Sequence, residues 1–387
     1  MQVTRVDIGA IERELQQLWQ ERASEAARTG QAVTRALTLN LVARATEPQL
    51  AERISAMAHA LMASHPNRAI LAICRPAADA PQIDAWVQAN CLLTAPGVPQ
   101  VCGEQITIDA RGAAIAQVAS LILALLVPDL PVVLWLPGAT PFDEPLLPRL
   151  IGVLDRLIVD SRELDEPARG LVRMAAFERD PGLPTGSARR VTLSDLGWAA
   201  LTPWRELIAQ FFDTRPLLPH LRRIDQVAID YIPAPGPPNP AAGLLVAGWL
   251  ASCLGWTPLE DAVRVVGDTL QLQLRRPALG DDPNASRPVL ISITPVTGTP
   301  DAPAGLAALR LQALDGVTAD FRVARADTVG HVLTTAVIAG HPPLHRLARC
   351  AEPALIDLLA AELRLLSRDR TFSAALHMAA RFASQLA

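Results

Sequence analysis

The stretch AAIAQVASLILALLVPDLPVVLWL, Ala113–Leu136, sets the fold class. It is the most apolar region of the chain, yet Gln117 and Ser120 interrupt it and Pro128-Asp129-Leu130-Pro131 breaks it. A membrane span needs a longer uninterrupted run. The pattern therefore reads as a helix over Ala113–Leu126, a breaker, and a buried strand over Val132–Leu136. A helix feeding a wholly apolar strand is the repeating piece of a two-sided, mostly parallel sheet.

The same alternation continues on both sides. Upstream, Ile8, Ile11, Leu15, Leu18 and Trp19 lie at helical spacing within Asp7–Arg28. A strand follows at Ala36–Val42, a helix at Pro48–Met62 and a strand at Arg68–Cys74. Trp86–Leu93 and Glu104–Asp109 read as two more strands, which implies a mixed edge. Downstream come a helical stretch at Leu146–Leu154, a strand at Arg156–Asp160 and helix from Glu163 to Arg179. Pro181–Gly186 is a turn-rich break, and a domain boundary is expected there. Proline-rich Pro233–Pro238 is a second break. Beyond it the pattern gives a helix at Ala241–Leu254 and strands near Val263–Gly267, Leu270–Arg275, Pro288–Thr294, Leu306–Gln312, Thr318–Ala324 and His331–Ile338. Helices at Pro353–Leu366 and Phe372–Leu386 follow. The expectation is a mixed, largely parallel α/β domain over residues 1–185 and an α+β domain over 186–387.

Composition narrows the function. Of 387 residues, 50% are hydrophobic and 19% charged, with a net charge of −4, so no basic field for nucleic acid is present. Every cation is arginine, because the chain has no lysine. Walker-type, Schiff-base and kinase-type lysine chemistry are therefore excluded. Five scattered cysteines, with no CxxC, support neither a disulfide framework nor a structural zinc site. They are expected buried and inert. Met1–Asp7 shows no signal-peptide pattern, so a cytoplasmic location is expected.

Asp195-Leu196-Gly197-Trp198-Ala199-Ala200-Leu201-Thr202-Pro203-Trp204-Arg205 concentrates two tryptophans and an arginine in a chain with 4% aromatic residues. Trp and Arg are frequent interface anchors. Thr202-Pro203 signals a helix start, and Trp204, Leu207, Ile208, Phe211 and Phe212 then form one apolar stripe. Such stripes usually dock a helix on its own core, so Trp204 reads first as core. Trp198 and Arg205 lie off the stripe, with Asp195 placed to cap the preceding turn.

These residues resemble a signature of the glucose-6-phosphate dehydrogenase assembly proteins, the OpcA family. Further segments resemble that family in order: Asn40-Leu41-Val42, His65-Pro66-Asn67-Arg68, Cys102-Gly103-Glu104-Gln105-Ile106, Leu130–Trp135, and Asp155 with Leu157–Ser161. The resemblance runs from about Asn40 to Tyr231. Leu136 departs from it, standing where a second Trp belongs. Past Tyr231 only general character matches.

The resemblance implies a non-catalytic partner that associates with glucose-6-phosphate dehydrogenase and promotes its active oligomer, using no cofactor or metal, nucleic acid or membrane. In photosynthetic members, thiol oxidation tunes that effect. The candidate contact residues are Asp195, Trp198, Trp204 and Arg205, with His65, Arg68 and Trp135 second. The alternative is an enzyme or small-molecule binder using the crevice at the carboxyl ends of the first domain's strands, for which Asp160, Ser161 and His65 are the thin candidates.

Other groupings read plainly. His65–Arg68 either binds an anion or simply turns the chain. His341-Pro342-Pro343-Leu344-His345 cannot place its histidines on one helix face. Ser161 reads as a cap, since G-x-S-x-G is absent. Asp281-Asp282 reads as a solvated loop, and the pairs Arg189-Arg190, Arg222-Arg223 and Arg275-Arg276 as surface contacts.

Overall fold

The structure, a computed structural model, describes residues 7–29, 33–77, 80–92, 100–138, 140–183, 190–278, 286–299, 302–314, 316–365 and 367–386. Helix α1 spans Ile8–Thr29, followed by strands β1 (Val33–Arg35) and β2 (Leu39–Ala45). The strand expected over Ala36–Val42 thus starts later, at Leu39, and runs on to Ala45, with residues 36–38 irregular. Helix α2 (Pro48–Leu61) leads to β3 (Asn67–Arg75), β4 (Gln82–Leu92) and β5 (Gln100–Arg111). The apolar stretch Ala113–Leu136 begins in a 3-10 turn at Gly112–Gln117, then forms α3 (Val118–Leu125) and β6 (Val132–Trp135). Short α4 (Leu147–Leu150) precedes β7 (Arg156–Val159). Helix α5 runs Pro167–Arg179 and β8 runs Thr192–Asp195.

Next come α6 (Leu196–Ala200), α7 (Thr202–Gln210), α8 (Leu218–Leu221), β9 (Gln226–Ile232) and α9 (Ala241–Leu254). Seven strands follow: β10 (Thr257–Val266), β11 (Thr269–Arg276), β12 (Arg287–Pro295), β13 (Gly305–Ala313), β14 (Ala319–Arg325), β15 (His331–Ile338) and β16 (Leu344–Arg349). Helices α10 (Leu355–Arg364) and α11 (Arg370–Ala383) close the chain.

Two units form, and the chain passes between them more than once. The first holds residues 1–160, 180–194 and 355–367; the second holds 161–179, 195–354 and 368–387. Helix α5 therefore belongs with the second unit and α10 with the first. The expected boundary at 185/186 lies outside the described residues, as do Asp281, Asp282 and Arg189.

In the first unit the sheet order is β1-β5-β3-β2-β6-β7-β8, with β4 also on β5. Pairs β2–β3, β2–β6, β3–β5 and β6–β7 are parallel, while β4–β5 is antiparallel. This is the mixed sheet the alternating pattern called for. Strands β3 and β6 are buried along nearly their whole length, as apolar runs under helices on both faces should be.

In the second unit the order is β10-β11-β12-β9-β13-β14-β15-β16. Only the β9–β12 pair is parallel; the other pairs are antiparallel. Helix α9 is apolar all round and packs between the sheet and α11. A Cβ at Gly248 would sit 2.3 Å from the Ala375 carbonyl oxygen, so only glycine lets α9 and α11 approach this closely. Strands β9 and β16 were not expected. No helix of the described residues is long and apolar enough to cross a membrane.

Candidate functional site

The Asp195–Arg205 stretch is built from the end of β8, α6 and the start of α7. The Asp195 carboxylate is buried and accepts four hydrogen bonds. Two come from the Gly197 and Trp198 amides at 3.0 and 3.1 Å. Two more come from the Ser161 amide and hydroxyl, both at 2.7 Å. It is the N-cap the sequence suggested. Gly197 is required beside it, because a Cβ there would lie 2.1 Å from the Ser161 hydroxyl oxygen. Ser161 thus anchors a turn.

Trp198 is only 3% exposed. Its indole N–H donates to Asp369 Oδ2 at 3.0 Å. Asp369 in turn caps α11 by accepting from the Thr371 and Phe372 amides. The Trp198 ring packs 5.7 Å from that of Phe372, and the Arg205 guanidinium stacks 3.7 Å above it. Arg205 also donates to Thr202 Oγ1, so that hydroxyl holds the arginine instead of capping α7. Trp204, 8% exposed, sits with Ile208 and Phe212 on the buried stripe of α7. Phe211 and Phe212 meet Phe321 of β14 at 5.5 and 4.9 Å.

The core reading of Trp204 therefore holds. The outward reading of Trp198 does not: its ring is closed in, and the stretch is an internal staple joining α6 and α7 to α11. A second tie runs from α5 to α11. There the buried Glu178 carboxylate accepts from Ser373 Oγ and Arg368 Nε and pairs with His377 Nε2 at 2.9 Å. Sequence reasoning missed it, since its partners lie nearly 200 positions apart.

The second set of candidates lies in the first unit and is not gathered into one site. His65 is half-buried at the turn after α2, its Nδ1 2.9 Å from Ser64 Oγ. Burial, with Arg364 nearby, lowers its pKa. Arg68 is buried and donates to Glu104 Oε1, to Glu12 at 3.0 Å and to the Leu125 carbonyl at 2.8 Å. Glu104, wholly buried, also accepts from Arg35 at 3.0 Å and from the Trp19 indole at 3.0 Å. Arg68 is thus one arm of an interior ion pair that pins α1 to the sheet, which favours the turn reading of His65–Arg68 over the anion-site reading. Trp135 is 1% exposed in the middle of the sheet and presents nothing to a partner.

The carboxyl ends of the parallel strands carry charged groups that sequence reasoning passed over. On one side Arg44 is paired with Glu144, next to the buried Cys74. On the other, Arg75 and Arg111 both donate to Asp109 Oδ2, at 2.6 and 3.1 Å. Register brings them together, since Arg75 pairs with Arg111 and Ile73 with Asp109. Burial raises the Glu144 pKa against the opposing pull of Arg44. Burial also raises the thiol pKa of Cys74 and Cys350, which makes each a weaker nucleophile at neutral pH.

Two cysteine expectations need correction. Cys91 and Cys102 are joined in a disulfide across neighbouring β4 and β5, at directly paired positions. Cys253 is exposed instead of buried. In the second unit, a cavity of about 540 Å³ is lined by Leu259, Leu274, Val289 and Leu290 together with Asp225, Arg276 and Arg287. Among the described residues no three His, Cys, Asp or Glu side chains gather as a metal site.

Comparison with known proteins gives a consistent result for both halves. Residues 58–176 match the family described as glucose-6-phosphate dehydrogenase subunit N-terminal domain, and residues 191–376 match its C-terminal domain. Relatives named OpcA, described as OxPP cycle proteins, are similar in sequence. One from Synechocystis sp. is 31% identical over 207 residues, covering 53% of this chain and 41% of that protein. One from Nostoc punctiforme is 36% identical over 160 residues, covering 41% of this chain and 32% of that protein. This chain spans less than half the length of these curated relatives. A crystal structure described as an oxidoreductase from Bacteroides fragilis aligns over 90% of this chain and 96% of its own, at 9% identity and a TM-score of 0.42. No functional reading rests on likeness at that level.

Proposed function

Because this chain belongs to the glucose-6-phosphate dehydrogenase assembly protein family, OpcA, we propose that it binds glucose-6-phosphate dehydrogenase and favours its active oligomer, without chemistry of its own. The observation that carries this is the pair of family matches, in chain order, over both halves of the chain. The mechanism is linkage. A partner that binds the assembled enzyme better than the free form shifts the population by that difference in affinity. A tenfold shift takes about 1.4 kcal/mol, within reach of a single good interface contact.

The internal geometry supports a scaffold role. The signature residues fix α6, α7 and α11 to one another, and Glu104 fixes α1 to its sheet. These ties would hold a binding surface in one shape, which lowers the ordering cost of association. The test is to mix the purified chain with the dehydrogenase of the same organism and follow NADP reduction across sugar-phosphate concentrations. A rise in activity or in apparent sugar-phosphate affinity, with co-elution of the two proteins, is the expected result. No change at saturating chain, with no co-elution, rejects the proposal.

The alternative of a small-molecule binder is favoured by one observation, the gathering of Arg44, Arg75, Arg111, Asp109 and Glu144 at the strand carboxyl ends. A saturable thermal shift with a phosphorylated sugar or nucleotide, abolished by Arg75→Ala, would move the reading there.

A further inference from the structure

Strand β16, Leu344-His345-Arg346-Leu347-Ala348-Arg349, ends the sheet of the second unit. It is exposed along its length except at Ala348. Leu344 is 62% exposed and Leu347 56%. Leu347 pairs directly with exposed Leu333 of β15, and exposed Val337 lies on the same face. Hydrophobic side chains standing together beside an open strand are unusual on a finished surface.

The open side of β16 can be read from the ladder. The Cys350 amide donates to the Gly330 carbonyl, just past the His331–Arg349 pair. In an antiparallel pair, bonded and non-bonded positions alternate. Ala348, Arg346 and Leu344 therefore bond inward to β15. The N–H and C=O groups of His345, Leu347 and Arg349 point away from the sheet, where the strand order holds no further member among the described residues.

The charge along this edge has one sign. Strand β16 carries Arg346 and Arg349 and no carboxylate. Arg322 of β14 faces Thr335, which faces His345, and Arg322 is exposed. Asp320, on the same face, is held by Arg310 at 2.9 Å.

We propose that β16 is the docking edge for the partner, and that it takes an extended, acidic segment with alternating apolar side chains as a ninth strand. Backbone bonds to residues 345, 347 and 349 supply the addition. Leu347, backed by Leu333 and Val337, receives the apolar side chains on one face, where Arg349 also stands, and Arg346 receives a carboxylate on the other. A second copy of this chain fits poorly, because it would bring two more arginines and no carboxylate to the edge.

This inference rests on the assembly-factor reading above, and its test separates the two. The dehydrogenase of the same organism is the probe, with binding measured by titration calorimetry on four forms of the full chain. These are the native chain, Arg346→Glu/Arg349→Glu, His345→Pro and His345→Ala. His345→Pro removes one outward N–H without breaking the native ladder, while His345→Ala removes the side chain and keeps the N–H. The charge reversal and the proline should each weaken binding about tenfold or more, with His345→Ala near native. Melting temperatures should stay within about 2 °C of the native chain, as expected of surface changes. Moving from about 50 to about 300 mM salt should weaken the native complex more than the charge-reversed one.

Equal binding by all four forms overturns the docking edge and leaves the assembly reading standing; the arginines then only guard an open strand. Loss with the charge reversal but not with proline overturns strand addition. A native dimer that the proline variant dissociates overturns the choice of partner in favour of a second copy. No binding by the native chain overturns both readings.

Discussion

Replacing Trp198 with alanine separates an internal staple from a surface anchor. The structure assigns this side chain three interactions: a ring contact with Phe372, a cation over its face from Arg205, and an N–H bond to Asp369. It is almost wholly buried. Removing a buried tryptophan costs about 3–5 kcal/mol, mostly from the cavity and lost transfer energy. The stack on Arg205 adds about 0.5–2 kcal/mol, overlapping in part with that figure. For a unit of this size each kcal/mol moves the melting temperature by about 2–4 °C, so the drop should be about 6–20 °C. Trp198→Phe should lose less, about 1–3 kcal/mol, since it keeps the ring contacts and forfeits only the bond to a carboxylate. Differential scanning calorimetry, repeated by urea titration, measures both variants. A loss under about 2 °C for Trp198→Ala, together with abolished dehydrogenase binding, would refute the staple and restore the outward anchor.

The other ties predict effects of similar kind. Gly197→Ala should destabilise by about 1–3 kcal/mol through its clash with Ser161 Oγ, and Ser161→Gly in the same chain should recover part of it by urea titration. Glu104→Gln leaves Arg68 without its buried counter-charge and should cost about 3–5 kcal/mol, read as a lower urea midpoint of the first unit. Burial raises the Glu144 pKa, so the folded chain holds that proton more tightly than the unfolded chain. Stability contributed this way is present below the ordinary value of 4.5 and is lost as pH rises through the raised value. Glu144→Gln should flatten that part of the stability–pH curve, and an unchanged slope would count against the burial argument. The Cys91–Cys102 bridge closes a loop of sequence separation 11, for which chain entropy gives about 3 kcal/mol, so Cys102→Ser should lower the urea midpoint accordingly.

Periodicity served best where the environment is uniform. Val132–Trp135 is buried on both faces and reads as an apolar run; α9 and β15 have the bounds their patterns imply. Strand β16 escaped because it is exposed on both faces except at Ala348. Leu344 and Leu347 fall on opposite faces, so no alternation marks the strand. At the candidate site, composition drew attention to Trp198 and Trp204, and the structure buries both rings. Trp198 is held by Asp369, 171 positions away, and no local pattern announces that pairing. The Arg75–Arg111 and Arg68–Glu104 contacts come from strand register, which residue spacing does not supply.

Sedimentation velocity of the organism's own glucose-6-phosphate dehydrogenase, alone and with increasing amounts of this chain, reads assembly without any assay of catalysis. The enzyme boundary should move to a larger species that contains this chain, in proportion to the chain added. An unmoved boundary at saturating chain, with the two proteins sedimenting apart, would contradict the proposed role.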